Sequence, residues 1–246
     1  MFKAQGCGSC CNPNAQPSSN LIELERISAN LGYKPSDLLN MPENANMGLG
    51  CGNPIAIAAL KEGEIVLDLG SGGGFDCFLA RKQVGETGFV IGVDMTPEMI
   101  QLSTRNAEQI GYSNVEFRLG EIENLPVEDD SIDVIISNCV VNLSQEKDKV
   151  FHEAYRVLKR GGRLSISDIL ATAELPENIK NDLSMITGCI AGAEYTQRIE
   201  ELLQKAGFIN VKMVPKDNSR LILKSWLPGK NIEDYVTSYI IEAQKQ

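Results

Sequence analysis

The sequence predicts an α/β protein: a doubly wound, mostly parallel sheet preceded by a helical and loop extension. Two observations predict it. From residue 64 onward, short apolar runs ended by glycines alternate with amphipathic helical stretches. The first run passes into a glycine-rich turn, VLDLGSGGGFD, which opens the next helix. A chain of 246 residues holds one such domain with a small appendage. At that size about 70–75% of the unfolded surface is buried, so no disulfide or metal is needed for stability.

The elements follow in order. Residues 1–20 carry Cys7, Cys10 and Cys11 and a run rich in Asn, Pro and Ser, read as a mobile arm. In NLIELERISANLGY, Leu21, Leu24, Ile27 and Leu31 recur at helical spacing, with Asn20 and Glu23 placed as a capping box. The stretch from Lys34 to Pro54 reads as loop with one turn of helix, and PIAIAAL as a helix begun by Pro54. Strands are expected at 65–70, 89–94, 115–120, 132–138 and 163–168. Between them lie helices FDCFLARKQV, TPEMIQLSTRNAEQIG and EKDKVFHEAYRVLKRGG; the second has Thr96 as N-cap, Pro97 in its first turn and Gly111 past its end. ENIKNDLSMITGCIAGA reads as an inserted helix and turn, and TQRIEELLQKAGF as a helix. NVKMVP and RLILKSW read as two final strands at an antiparallel edge. The resulting division is an arm (1–20), a helical cap (21–60) and a main domain (61–246) with a covering insertion around 171–195.

Charge and composition narrow the function. A formal net charge of −10 repels phosphate backbones and anionic lipid, so nucleic-acid and membrane partners are not expected. No apolar run is long enough to cross a bilayer, and MFKAQGCGSCC has no apolar signal region. The expected compartment is the cytoplasm, where the seven cysteines stay reduced.

The glycine turn reads Asp68-x-Gly70-x-Gly72-x-Gly74. Such a turn lets a ligand lie on the backbone at a helix N-terminus. The dinucleotide fingerprint wants glycine at 75, where this chain has Phe75. Asp68, inside the strand, suits a ligand that carries an ammonium group better than one that is already anionic. Asp94, ending the second strand, is placed to accept from two ribose hydroxyls, and Met95 offers a polarizable surface for an adenine ring. Glu121 and the Ile122 backbone follow the third strand. A plainer reading has Asp68 and Asp94 merely capping turns.

These residues resemble the class I S-adenosylmethionine-dependent methyltransferases over about residues 60–170. The resemblance implies a seven-stranded sheet of order 3-2-1-4-5-7-6. It places the methionine part of S-adenosylmethionine on Gly70, Ser71, Gly72 and Gly74, the ribose on Asp94, and the adenine on Met95, Glu121 and Ile122. Asn138 would face the methyl group or the methionine tail.

The cysteines carry the rest. Cys51 sits in GLGCGNP and Cys189 in ITGCIAGA, each preceded by glycine and flanked by small residues. Cys51 has little beside it to pack against and is expected near the mouth of the site. Cys77, on the first crossover helix, and Cys139, ending an apolar strand, read as small buried hydrophobes. Several thiolates around one ligand point to a soft centre. Zinc fits poorly because Cys7 and Cys10 form a single C-x-x-C and the one histidine, His152, reads as solvent-facing. A redox C-x-x-C normally follows a strand, and this one does not. Trivalent arsenic fits better: it keeps a lone pair after binding three sulfurs and needs no general base to attack a sulfonium methyl.

PENANMGLGCGNP, SNCVVNLSQEKDKVFHEAYRVLKRGGRLSISDI and GCIAGA are similar to the arsenite methyltransferases, a likeness covering most of residues 30–195. It implies Cys51 and Cys189 as arsenic ligands and catalytic residues. Many members carry a further cysteine before a Glu-Asp-Tyr triplet; here Ile232 precedes Glu233, Asp234 and Tyr235. The third sulfur is left to the arm, with Cys11 the ligand named, or to glutathione. Regeneration of trivalent arsenic takes two electrons, which thiol pairs supply as a disulfide, so thioredoxin or glutathione is an expected reductant, with Cys10 and Cys11 placed for the exchange. Two other readings stand beside this one: methylation of a small organic acceptor, with Tyr195 or a carboxylate as base, and a non-catalytic arsenite-binding protein.

Overall fold

The computed structural model describes residues 19–42, 44–177, 190–226 and 231–246. A helix α1 (Ser19–Leu31) and a single turn α2 (Pro35–Leu38) precede the sheet. Then follow β1 (Ile65–Leu69), α3 (Phe75–Val84), β2 (Phe89–Asp94), α4 (Pro97–Ile110), β3 (Val115–Leu119), β4 (Ile132–Asn138), α5 (Lys147–Val157) and β5 (Leu158–Ala171). The chain ends with α6 (Thr196–Ala206), β6 (Phe208–Pro215), α7 (Ser219–Trp226) and β7 (Val236–Lys245).

The seven strands lie in the order β3-β2-β1-β4-β5-β7-β6, as the resemblance implied. All neighbours are parallel except β7, which runs antiparallel to both β5 and β6. Strand pleating sends alternate residues to opposite faces. From β1, Leu67 and Leu69 enter a core closed by α5 and α6, through Phe151, Ala154, Leu202 and Leu203. Val66 enters a second core with Phe75, Phe78 and Ala80 of α3 and with Leu31 and Tyr33 from the end of the N-terminal helix. The extension is thereby fastened to the sheet on the α3 side. Glycines stop α4 and α6 where expected, at Gly111 (φ 72°) and Gly207 (φ 105°).

Several expectations need correction. RLILKSW forms α7 rather than a strand: Ser219, Ile222 and Leu223 are buried at i, i+3, i+4 spacing, and Leu221 is exposed. A short apolar run does not distinguish helix from strand by itself. The true last strand is β7, in which β-branched Ile240 and Ile241 pair with both neighbours and Val236 pairs with β5. After Pro54 the chain makes one turn and not a helix, because Ala59 takes a left-handed conformation (φ 45°). Helix α1 starts at Ser19, one residue before the expected cap at Asn20. Strand β5 extends well beyond 163–168 at both ends. His152 is exposed, as expected. Residues 1–18, with Cys7, Cys10 and Cys11, and residues 178–189 of the 171–195 insertion, including Cys189, lie outside the described residues.

Candidate active site

Strands β1, β2 and β4 all end at one edge of the sheet, where the strand order reverses between β1 and β4. A cavity of about 830 Å³ opens there, at the place where open α/β sheets bind ligands. Its floor is the β1 turn. Gly70 and Ser71 donate their N–H groups to Val93 O at 2.7 and 3.0 Å. Gly70 has φ 72°, and a Cβ there would overlap the Val140 side chain. At Gly73 a Cβ would press on the backbone carbonyls of Asn44 (2.7 Å) and Ala45 (2.8 Å). The turn and the N-terminal loop therefore face each other with no room for side chains, leaving bare backbone for a ligand.

Asp94 is held by both oxygens: Gly72 N–H and Thr96 N–H each donate to it at 2.9 Å. Its remaining lone pairs face the cavity, which it lines. Ser71 lines the cavity too, while its hydroxyl oxygen is buried beside Gly92 without a hydrogen-bond partner.

Two carboxylates are sunk into the same wall. Burial pushes the Asp68 carboxyl well above the usual range, reinforced by the neighbouring Asp76 and eased by the Cys77 thiol, which donates at 3.3 Å. Burial raises Asp76 to about 6, against the opposing pull of hydrogen bonds from Tyr33 and Asn138. Two acids crowded together out of water are a poor arrangement for an empty site and a good one for a ligand with ammonium and sulfonium charges. Around the opening, Met47, Leu49, Met95 and Leu143 stand exposed, an apolar rim of the kind a flat ring covers. The bare turn and the buried carboxylates together fit S-adenosylmethionine.

At the β4 end the cavity meets sulfur. Asn138 closes the strand and Cys139 follows with φ 59°, its N–H donating to Ser167 O at 2.8 Å. The loop carrying Cys51 crosses under this point. Cys51 is fully buried, with Cys139, Ile169, Leu175, Ile190, Leu223, Ile232 and Val236 around it. Its Sγ lies 3.7 Å from Ser167 Oγ, and its carbonyl accepts from Ser238 Oγ (2.8 Å) and Lys216 Nζ (3.3 Å). Ligand atoms of Cys51, Cys139 and Asp168 all lie within 4.8 Å of one another.

A model described as "Methyltransferase domain" matches residues 60–207. The chain is 48% identical over 240 residues to an arsenite methyltransferase of Halobacterium salinarum, covering 98% of this chain and 59% of that protein. It is 40% identical over 174 residues to the arsenite methyltransferase of Homo sapiens, covering 67% of this chain and 46% of that one. A crystal structure of an arsenic(III) S-adenosylmethionine methyltransferase from Chlamydomonas reinhardtii is 33% identical, with a TM-score of 0.64, covering 89% of this chain and 73% of that one. The chain belongs to the arsenite methyltransferase family. It spans about half to three-fifths of the length of the curated family members it matches. The cofactor of the family is S-adenosylmethionine.

Within this family member the expected site residues fall as follows. Asp68, Gly70, Ser71, Gly72, Asp94, Met95, Ile122 and Asn138 line the cavity. Gly74 does not: it begins α3 at φ 91°, and a Cβ there would meet Phe78 and Phe117 at 2.8 Å, so packing requires it. Glu121 is exposed outside the wall, and Glu123, bonded by Ser144 Oγ, lines it instead. Tyr195 is exposed at the N-cap of α6 and not in the cavity wall. Cys51 is not at an open mouth; residues far along the chain bury it. Cys139 is buried as expected, yet it borders the cavity and pairs with Cys51. Three further residues escaped the sequence reading. Tyr33 and Asp76 looked like an end-of-helix aromatic and a first-turn acid, and Asp168 like a strand residue. Two local signals were available: an acid two residues after the glycine turn, and a cysteine next to the strand-ending Asn138.

Proposed function

We propose that this chain transfers the methyl group of S-adenosylmethionine to trivalent arsenic held by cysteine thiolates, a reaction that serves arsenic detoxification. The observation that carries the proposal is the convergence of Cys51 and Cys139, 88 positions apart in the sequence, beside the β4 end of the cofactor cavity. Soft arsenic takes sulfur ligands and keeps a lone pair. S-adenosylmethionine supplies an electrophilic methyl on a sulfonium. The protein's part is to hold the two ends in line and keep water out. In this reading Asp68 and Asp76 answer the cofactor's positive charges, Gly70 to Gly72 carry the methionine part, Asp94 the ribose, and Met95 with Ile122 the adenine. Cys189 and Cys11 are proposed to add sulfur to the pair. Methylation raises arsenic by two oxidation units, so turnover draws two electrons from thiols and then from thioredoxin or glutathione in a reducing cytoplasm.

The test is to mix protein, S-adenosylmethionine, a reductant and arsenite, and to assay S-adenosylhomocysteine. Arsenite-dependent release is expected. Release with a phenol or quinone alone would favour an organic acceptor, and arsenite binding without release a non-catalytic role. Cys189→Ser is expected to abolish arsenite-dependent release; an unchanged rate removes Cys189 from the ligand set.

Asp76 makes the cofactor pocket pH-sensitive. A cationic ligand prefers the ionised carboxylate, so affinity for sinefungin, an analogue with an amine at the methyl-bearing position, should rise as pH climbs through about 6, where Asp76 loses its proton, and again where Asp68, held higher by burial, loses its own. Below about pH 6 it should weaken, by up to tenfold per unit, as the proton competes. The sign for stability is opposite. A carboxyl whose folded pKa is raised favours the fold while protonated, and that contribution is lost as pH rises through about 6. Asp76→Asn should therefore raise the Tm of the ligand-free protein at pH 8 while weakening sinefungin. Calorimetry and thermal melts at pH 5–8 check both, and a pH-independent affinity would remove Asp76 from cofactor binding.

A further inference from the structure

One side chain joins the two halves of the site. The Asn138 amide accepts from Cys51 N–H at 3.0 Å through Oδ1 and donates to Gly52 O at 2.8 Å through Nδ2. It thus holds the loop at both ends of the Cys51–Gly52 pair. Gly50 lies flat against it: with φ 123°, a Cβ there would stand 2.7 Å from Nδ2 and 2.8 Å from Oδ1. The same amide reaches into the cofactor wall, with Tyr33 OH at 3.1 Å and Asp76 Oδ2 at 3.3 Å from Nδ2. Tyr33 OH in turn donates to Asp76 Oδ1 at 2.7 Å.

The hydrogens do not go round. An amide nitrogen carries two, and Nδ2 faces three acceptors. Gly52 O, the nearest, takes one. Tyr33 and Asp76 contend for the other. A cation seated against the Asp76 carboxylate fixes where its oxygens stand, and the charge-assisted bond from Nδ2 to the fixed carboxylate wins the contested hydrogen. That choice fixes the plane of the amide, and with it the Cys51 N–H and Gly52 C=O that the amide holds.

We propose that Asn138 is the positioning residue that couples the cofactor cavity to the thiol pair, so that a cation in the cavity tightens binding of trivalent arsenic. This rests on the arsenic-binding reading above. The first ligand orders the amide and the loop, and the second no longer bears that cost. By linkage the effect is reciprocal: arsenite tightens the cofactor analogue by the same factor.

The experiment measures arsenite dissociation constants on the full chain with and without saturating sinefungin, and sinefungin constants with and without arsenite. In the wild type we expect arsenite to bind about tenfold more tightly with sinefungin present, and the reciprocal factor to match. In Asn138→Ala the factor should fall below about two, whatever each affinity does alone. In Tyr33→Phe, which removes the competing acceptor, the coupling should persist. An unchanged arsenite affinity in the wild type on adding sinefungin overturns the proposal without need of any variant. So does an Asn138→Ala protein that keeps the full factor, or a Tyr33→Phe protein that loses it. Arsenite binding that Cys51→Ser leaves untouched is a different failure, because it overturns the thiol site itself.

Discussion

Cys51→Ser is expected to lower arsenite-dependent S-adenosylhomocysteine release by about 100-fold or more, because a hydroxyl is a hard, weakly bound ligand for a soft centre. The cofactor side should be nearly untouched. The Cys51 side chain is not in the cavity wall, and its backbone bonds to Asn138, Ser238 and Lys216 do not depend on sulfur. The substitution is close to isosteric, and the new hydroxyl finds a partner in Ser167 Oγ, 3.7 Å from the present Sγ. Sinefungin affinity should therefore stay within about twofold while turnover collapses. A rate within tenfold of the wild type would remove Cys51 from the arsenic site. Loss of sinefungin binding would show that serine had disturbed the loop, and not merely the ligand set.

The second large effect is expected at Gly52. A Cβ at this position would overlap Ser167 Oγ, stand 3.0 Å from Ser167 Cβ and 2.9 Å from Lys216 Nζ. The lysine end can swing away, but Ser167 is fully buried in β5, paired with β4 on one side and β7 on the other. Gly52→Ala must then lift the Cys51 loop off the sheet. The cost of forcing a methyl into such a place is about 1–3 kcal/mol. The loss of function should be larger than the loss of stability, since the displaced residue is Cys51. Ser167→Gly removes both clashing atoms, so the double variant Gly52→Ala/Ser167→Gly should regain arsenite binding and much of the lost Tm. Chemical denaturation and arsenite titration of the two proteins check this. A Gly52→Ala protein with normal arsenite affinity would show that the loop is not held against β5. A double variant no better than the single would show that Ser167 is not the obstacle.

Much of the fold was legible in the chain. The strand at 89–94 and the helix FDCFLARKQV match β2 and α3 residue for residue. Both belong to the region where pattern and turn chemistry agree: apolar runs buried on two faces, glycines at their ends, and helices opened by the turn. The cofactor turn was legible for the same reason. Asp68, Gly70 and Gly72 lie within one strand and its turn, and Asp94 ends the next strand of the same strand-helix-strand unit. The C-terminal part was misread because RLILKSW has enough apolar residues for either element, and which of its faces is buried depends on β7 and on the Cys51 loop.

The sequence by itself determined the alternating sheet and helices and the glycine turn with its acids, whereas its reading of Cys51 as a thiol with little to pack against was overturned by the apolar cluster that encloses it. Local geometry decides the strands, the helices and the turn, since each depends on neighbours a few residues away. Tertiary structure alone decided that Cys51 is sealed from water, that its partner among the described residues is Cys139, and that Tyr33, Asp76 and Asn138 join the thiols to the cofactor wall. Those contacts link positions from 43 to 187 residues apart. A side chain's chemistry can be read from its letter, but which distant groups desolvate it, and which hydrogen bonds it must share, depends on how the sheet brings the chain back upon itself.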